Sequence, residues 1–474
     1  MQDYPQIIQG GMGVAVSSWQ LANAVSREGQ LGVVSGTGIG LVLIGRLMQG
    51  DPGGYVQAAL ADFPIPRVAK NILDKYYRPD GTPDVPMTYK RPTMWTIKPP
   101  VELVELTIAG NFVEVWLAKQ GHQNPVGINL LEKVQLPNLS SLYGAMLAGV
   151  DYVIMGAGIP MRIPGALDAF VTHQAADYAL DVANAKEEIL YHFDPLQYFP
   201  EIVDIIPTLK RPKFLPIVSS VVLALALKRR ANGEVNGFII EMPTAGGHNA
   251  PPRGETQYNE RGEPIYTEKD NIDLSKFRTL ELPFWLAGGY GNAEKFQEAL
   301  DEGATGIQVG TAFAFCEESG MITEIKNNVI SQVLEEEVNV YTSPVASPTG
   351  FPFKVVDVPN STSDKAVYKA RPRLCDIGYL RQIYQDENGK LGYRCSSEPV
   401  DQYVKKGGKI EMTEGRMCLC NQLGSAGFAH KRPDGYLEPY VVTSGDDLPN
   451  IKQFLPEGAT HYSAQSVIKY ILDK

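Results

Sequence analysis

Two short apolar runs, each ending in glycine, carry the strongest chemical signal in the sequence. Residues 284–287 lead into Gly288-Gly289, and residues 306–309 lead into Gly310-Thr311. Glycine lets a phosphate approach backbone N–H groups that a Cβ would shield, and the hydroxyl of Thr311 adds a donor. Either corner alone is equally typical of a tight turn without a ligand. Together, on neighbouring strands, they favour a phosphate-binding site.

A dinucleotide site is the weaker interpretation of the glycines. Gly36-Thr37-Gly38-Ile39-Gly40 has the wrong spacing for G-x-G-x-x-G, and Gly11-Met12-Gly13 has Val16 where the third glycine belongs.

A single histidine, His248, follows Gly246-Gly247 at the end of another apolar run. A histidine with a pKa near neutral can take a proton from an activated carbon or return one to a carbanion. The alternative is a histidine that only hydrogen-bonds a bound group or the loop after it. For a histidine considered on its own, this alternative is the favoured one, so both roles stay open at this point.

Four cysteines stand near the C-terminus in the pattern C-x19-C-x22-C-x-C: Cys375, Cys395, Cys418 and Cys420. Four thiolates can hold a zinc ion or an iron–sulfur cluster. Since no C-x-x-C pair is present, buried thiols without metal are the favoured interpretation, and the metal centre stays an alternative. A fifth cysteine, Cys316, is interpreted as a small buried residue.

Eight apolar runs, nearly all without polar alternation, are separated by glycine-rich turns and helix-like segments. This is typical of strands buried on both faces of a parallel sheet. Eight such βα units predict an α/β fold of the closed TIM (β/α)₈ type, with the chemistry at the C-terminal ends of the strands. The predicted strands are residues 7–8, 31–35, 125–130, 152–155, 215–219, 237–242, 284–287 and 306–309.

Two insertions and a tail interrupt this rhythm. Residues 51–100, rich in Pro, Tyr and charge, are expected to cover the barrel mouth, and residues 249–279 are predicted to form a long loop after the sixth strand. We therefore predict a barrel over residues 1–340 and an appended α+β segment over residues 341–474 that packs on it.

Charge and the N-terminus restrict the classes of partner. A formal net charge of −11 argues against nucleic acid or an anionic membrane as the main partner. The first residues, Met1-Gln2-Asp3-Tyr4-Pro5, have no basic and apolar regions of signal-peptide type. We expect a cytoplasmic protein that acts on a small-molecule substrate, with a homodimer as one option for its assembly.

Six motifs, read in order over residues 4–320, resemble the nitronate monooxygenase (2-nitropropane dioxygenase) family and the related flavin enoyl-ACP reductases. They are Ile7-Ile8-Gln9-Gly10-Gly11-Met12-Gly13, Gly32-Val33-Val34-Ser35-Gly36, Gly156-Ala157-Gly158-Ile159-Pro160, Ala245-Gly246-Gly247-His248, Ala287-Gly288-Gly289 and Gln308-Val309-Gly310-Thr311. By this resemblance His248 is the active-site histidine.

The resemblance implies FMN as the cofactor. Gly288, Gly289, Gly310 and Thr311 would hold its phosphate, with Gln308 close by. The remaining residues that the resemblance places at the cofactor are Gly10, Gly11, Met12, Gly13, Ser35, Asn129, Gly156, Gly246 and Gly247. The chain departs from the family pattern after His248, where Arg253 is the candidate for a nearby family arginine.

Three functions are open. The first is a nitronate monooxygenase-like enzyme, which oxidises alkyl nitronates with O₂ to a carbonyl product and nitrite. The second is an NAD(P)H-dependent enoyl-thioester or quinone reductase with His248 as proton donor. The third is a flavin electron-transfer subunit of a larger complex, which predicts a metal centre in the tail. They are ranked in this order.

Overall fold

Eight parallel strands form a barrel in the computed structural model, which describes residues 4–81, 86 and 88–472. Seven neighbouring pairs share ladders, and a parallel bridge between Ile8 and Leu31 closes the ring. The predicted TIM barrel is confirmed, and each predicted strand is present within two residues of its expected bounds. The barrel strands are Ile7–Gln9, Gly32–Ser35, Val126–Leu131, Tyr152–Gly156, Lys213–Val218, Phe238–Glu241, Phe284–Ala287 and Gly306–Val309.

Apolar side chains fill the barrel interior. A buried inner cluster includes Val33, Ile154 and Trp285, while their neighbours along the strands face the helices. The indole of Trp285 donates to the carbonyl of Pro5 at 2.8 Å, which places the N-terminal residues across the bottom of the barrel. Because the interior is packed, a ligand has room only at the other end, where the strands finish.

Helices form the outer layer, and the last one comes from the C-terminus. Ala464–Leu472 contacts Trp19–Arg27, which follows the first strand, and Ala293–Asp301, which follows the seventh. The tail thus completes the ring of helices. The predicted division after residue 340 stays a prediction. The remaining helices of the layer are Ile39–Met48, Val101–Ala118, Gln135–Leu147, Ile163–Phe170, Val221–Arg230, Thr311–Ala314 and Thr323–Leu334.

Further elements lie outside the barrel. Ala176–Leu180 pairs with Ile189–Phe193, a hairpin that the sequence pattern did not predict. Val182–Ala183 joins the tail strands Gln382–Gln385 and Leu391–Arg394, and Val340–Ser343 pairs with Phe353–Val356. The other short helices are Tyr55–Ala61, Pro66–Tyr76, Pro195–Tyr198, Ile202–Ile205, Glu268–Asp270, Leu274–Arg278, Lys365–Ala370, Val400–Lys405, Ile410–Thr413, Leu419–Ser425 and Leu448–Phe454.

The two insertions lie beside the barrel mouth. The tail, and not the described part of the insertions, contributes residues to the lining of the cavity. Tyr55–Ala61 and Pro66–Tyr76 pack on Val101–Ala118 in the outer layer, whereas Arg91 and Trp95 contact the tail. No described residue of 51–100 or 249–279 lines the barrel cavity. The expectation that residues 51–100 cover it is therefore wrong for the described part of that segment.

Within residues 4–81, 86 and 88–472, no helix combines the length and apolarity needed to span a bilayer.

Candidate functional site

A cavity of about 220 Å³ opens at the C-terminal ends of the barrel strands. The structure brings together there every residue that the sequence placed at the cofactor or substrate, whereas their roles stay predictions. These residues are Gly10, Gly11, Met12, Gly13, Ser35, Asn129, Gly156, Gly246, Gly247, His248, Gly288, Gly289, Gln308, Gly310 and Thr311.

The two glycine corners present backbone amides to this cavity. Gly288 and Gly289 have φ values of +93° and +78°, in the left-handed region that favours glycine. Gly310 precedes the helix Thr311–Ala314, whose first amides have no intrahelical acceptor. The amides of Gly288, Gly289, Gly310 and Thr311 have no backbone acceptor among the described residues. Four unpaired N–H groups at adjacent strand ends are the donor set that an anionic phosphate requires.

The loop after the first strand comes into close contact with Asn129. A Cβ added to Gly11 would lie 2.1 Å from the Asn129 Cβ, so no larger residue fits. The hydroxyl of Ser17 accepts from the amide of Met12 at 2.9 Å and donates to the carbonyl of Gly10 at 3.2 Å. These bonds hold the loop so that it forms one side of the cavity.

Two buried polar atoms at the cavity have no hydrogen-bond partner among the described residues: Gln308 Oε1 and Ser444 Oγ. Buried polar groups are nearly always paired in folded proteins, because an unpaired one costs about 1–3 kcal/mol. A ligand with polar groups at these positions removes that cost. Ser444 comes from the tail, and no motif pointed to it.

His248 follows the sixth strand, which is paired with the seventh strand and so lies next to the Gly288-Gly289 corner, and it lines the same cavity. Its Nε2 is 2.7 Å from the Ser347 hydroxyl, and its ring packs edge-on against Phe353 with centroids 4.9 Å apart. Burial, and to a smaller extent the charge of Lys133, lowers the pKa of His248 to about 4. The histidine is therefore neutral at physiological pH, and the expectation of a near-neutral pKa is not met.

Glu241 was missed by the sequence reasoning. It is the last residue of the sixth strand, the only one of the eight barrel strands that ends in an acidic residue, and it lines the same cavity as His248. Burial raises the pKa of Glu241 to about 8. A carboxyl at the C-terminal end of a barrel strand is a recognisable signal, because active sites of this fold lie there.

A loop of the tail, residues 443–447, closes the cavity beside the second glycine corner. Thr311 Oγ1 donates to Asp447 Oδ1 at 2.6 Å and accepts from the amide of Gly445 at 3.2 Å, and Thr443 Oγ1 accepts from the amide of Gly247 at 2.9 Å. The Thr311 hydroxyl, predicted as a phosphate donor, is thus already engaged. Burial raises the pKa of Asp447.

Arg253 and the other histidines lie outside the cavity. Arg253 donates to the carbonyls of Lys269 and Ser219, so the structure gives it no contact with the site. His173, which is fully buried, bonds the Tyr143 hydroxyl, and His192 pairs with Asp177. These residues have structural partners.

The four tail cysteines converge on one small cavity of about 10 Å³. All four are free thiols, and Cys395 and Cys418 are buried. Nevertheless, over the described ranges no three His, Cys, Asp or Glu side chains are placed to hold a metal ion. The metal centre, which the sequence analysis kept as the alternative, therefore has no support. Cys316 is fully buried, as expected.

Residues 210–347 match the family model of nitronate monooxygenase. This segment contains the last four barrel strands, His248 and both glycine corners. The resemblance inferred from the motifs is confirmed over this segment, and the chain is an oxidoreductase. No curated protein matches the sequence.

Three solved structures are similar at low identity. FabK from Thermotoga maritima is 15% identical with a TM-score of 0.47, covering 99% of this chain and 92% of that chain. Nitroalkane oxidase from Streptomyces ansochromogenes is 14% identical with a TM-score of 0.47, covering 99% and 95%. The enoyl reductase domain of MlnA from Bacillus amyloliquefaciens is 11% identical with a TM-score of 0.45, covering 99% and 92%. These likenesses have no bearing on the substrate.

Proposed function

We propose that this chain is an FMN-dependent oxidoreductase that oxidises alkyl nitronates with O₂ to a carbonyl product and nitrite. One observation carries the proposal: two glycine corners with unpaired amides and one histidine line a single cavity at the strand ends. The match of residues 210–347 to the nitronate monooxygenase family supports the reaction class.

The residues of the cavity fit a flavin mononucleotide. The amides of Gly288, Gly289, Gly310 and Thr311 would hold the phosphate. The unpaired Gln308 Oε1 can accept from an N–H group of the ring system or a hydroxyl of the ribityl chain. Bound there, the flavin would take up the electrons that leave the substrate.

The protonation states at the site favour a substrate that is already an anion. A histidine with a pKa of about 4 is a weak base, and it is poorly suited to removing a proton from a neutral nitroalkane. A nitronate has lost that proton beforehand. His248, held by Ser347, would orient the nitro oxygens rather than act as a strong base.

A reductase that protonates an enoyl thioester or quinone is the second candidate, and one observation favours it. Glu241 keeps its proton at neutral pH because its pKa is raised to about 8, so the cavity holds a carboxylic acid as well as a neutral histidine. A reductase has to deliver a proton to the substrate, and NAD(P)H would supply the electrons in that case.

Anaerobic mixing of the purified protein with propyl-1-nitronate, NADH or NADPH separates the two candidates. We expect a yellow protein whose flavin absorbance bleaches with the nitronate and recovers with O₂, with nitrite as a product. Rapid bleaching by NAD(P)H and none by the nitronate would favour the reductase. A protein that stays colourless after incubation with FMN would contradict both.

A further inference from the structure

We propose that Glu241 is a substrate-binding residue of the cavity, a protonated carboxylic acid that donates a hydrogen bond to a negatively charged oxygen of the substrate. This inference rests on the proposed function and names the group that recognises the charge of the anion. Its tests include two measurements that need neither turnover nor flavin.

The position of Glu241 is set by the barrel. It ends the sixth strand, and its Cα is paired in register with Ala287 of the seventh strand, directly before the Gly288-Gly289 corner. Both residues line the cavity together with His248. The backbone therefore places Glu241 beside the first glycine corner, in the same cavity as the histidine.

The carboxyl of Glu241 has no hydrogen bond or ion pair with any residue in the described ranges. Its neighbour Met242 makes a backbone bond to Ala287, at 2.9 Å, so the strand end is firmly held. A carboxyl without a protein partner at a cavity wall is available to a ligand. Asp447, by contrast, is already engaged by Thr311.

The surroundings keep the proton on Glu241. Burial raises its pKa to about 8, and no nearby cation opposes this effect. The titratable groups that share its surroundings are His248, Tyr290 and Asp447 in the cavity and Tyr266 of the loop after the sixth strand. Because burial lowers the pKa of His248 to about 4, both groups are uncharged between about pH 4 and pH 8. Two groups whose pKa values are moved apart in this way are typical of acid–base sites.

An uncharged cavity wall suits an anionic substrate. A protonated carboxyl donates to a nitronate oxygen, whereas the carboxylate formed at higher pH repels it. No bond breaks in this role, because the proton stays on Glu241 while the hydrogen bond neutralises part of the substrate charge. Affinity for anions should therefore fall as the pH rises through about 8.

Three variants test the proposal: Glu241→Gln, Glu241→Ala and, as a control, Glu255→Gln at an exposed position outside the cavity. Infrared difference spectra of the protein between acidic and alkaline pH report protonated carboxyl groups directly. Calorimetric titration with propanoate, a planar anion that does not react, measures anion binding with or without flavin. The pH profile of kcat/KM with the nitronate is the third measurement.

We expect wild-type protein to lose a carboxyl C=O band near pH 8 that Glu241→Gln lacks and Glu255→Gln keeps. Propanoate affinity and kcat/KM should fall about tenfold per pH unit above this value in the wild type and the control. Glu241→Gln, which still donates, should lose this dependence, and Glu241→Ala should bind propanoate at least about tenfold more weakly at neutral pH.

An unchanged infrared band in Glu241→Gln, or an alkaline limb that persists in it, would overturn the proposal. Failure of the proposed function looks different: the protein would bind no flavin or would not oxidise nitronates, while the band and the propanoate titration would still report on Glu241.

Discussion

His248 is held in one orientation by two contacts, the Ser347 hydroxyl at Nε2 and the edge of Phe353. Each contact comes from the tail, although the histidine itself belongs to the barrel. A neutral imidazole has one donor and one acceptor, so the bond to Ser347 decides which nitrogen is left for the substrate. The orientation of the substrate therefore depends on a residue 99 positions further along the chain.

Replacing His248 by alanine should lower kcat/KM by about 10²- to 10⁴-fold, because a positioned group at the reacting atoms is lost. In the wild type, activity should fall as the pH drops through about 4, since protonation leaves the ring without an acceptor and so alters the hydrogen bond to Ser347 that orients it. The pH profile of kcat/KM checks this, and His248→Ala should lack the acid limb. His192→Gln, an exposed change outside the cavity, should behave like the wild type, and a wild-type rate in His248→Ala would contradict the role.

The sequence showed which residues beside the glycines belong to the site, but it did not show how deeply those residues are buried. His248 and the glycines lie in motifs, so their shared cavity could be predicted. The pKa values of His248 and Glu241 depend on burial by chain segments that are distant in sequence, and no local pattern encodes that burial. For the same reason the engagement of Thr311 by Asp447 was not foreseen.

Among the elements, the loop after the first strand has little tolerance for a larger side chain at Gly11. Asn129, whose side chain lies against Gly11, is fixed through its carbonyl, which accepts from the amide of Gly36 at 2.9 Å. Gly11→Ala would force its Cβ to within 2.1 Å of Asn129, whereas the nearest atom to a Cβ on Gly13 is 3.8 Å away. We expect Gly11→Ala to weaken FMN binding at least about tenfold and Gly13→Ala less than about twofold. Flavin fluorescence titration measures both, and equal effects would contradict this account.

The tail loop of residues 443–447 should tune cofactor affinity through Asp447. Its carboxyl lies against Thr311 at the predicted phosphate corner, and burial raises its pKa. As the pH rises through that pKa, the carboxylate should repel a phosphate, so FMN affinity should fall.

Asp447→Asn should remove this pH dependence while keeping the acceptor for Thr311. Riboflavin has no phosphate, so its affinity should be the same in both proteins at every pH. Fluorescence titrations with the two flavins measure these affinities. If the affinities for FMN and riboflavin changed with pH in the same way, the role of Asp447 would be contradicted.

Strands and helices of the barrel were predictable because each carries a local apolar pattern. The hairpin Ala176–Leu180 with Ile189–Phe193 was not predicted because its strands alternate buried and exposed residues and lack the continuous apolar run of the barrel strands. The docking of Ala464–Leu472 between the first and seventh barrel helices could not be predicted, since an amphipathic pattern predicts a helix but not its neighbours.

At the scale of the whole molecule, buried charges connect the first insertion to the tail. Arg91 pairs with Asp376, which accepts from Arg432 at 2.9 Å, and Arg432 also pairs with Glu438. Glu438, whose side chain is fully buried, is bonded in addition by Arg371 Nε at 2.5 Å. This cluster joins residues 51–100 to the segment that covers the cavity, so its strength should govern how well the cavity is closed.

Glu438→Gln should therefore lower the free energy of unfolding by about 3–5 kcal/mol, because it leaves the buried Arg371 guanidinium without a compensating charge and removes one of the two carboxylates that pair with Arg432. The matched control is Glu336→Gln, which breaks the exposed pair with Lys452 and should cost less than about 1 kcal/mol. Urea unfolding followed by circular dichroism measures both. Flavin release should accompany unfolding of Glu438→Gln at lower urea than in the control, because the segment after Glu438 leads directly to the tail loop at residues 443–447. Equal stability of the two variants would show that the cluster does not hold the tail on the barrel.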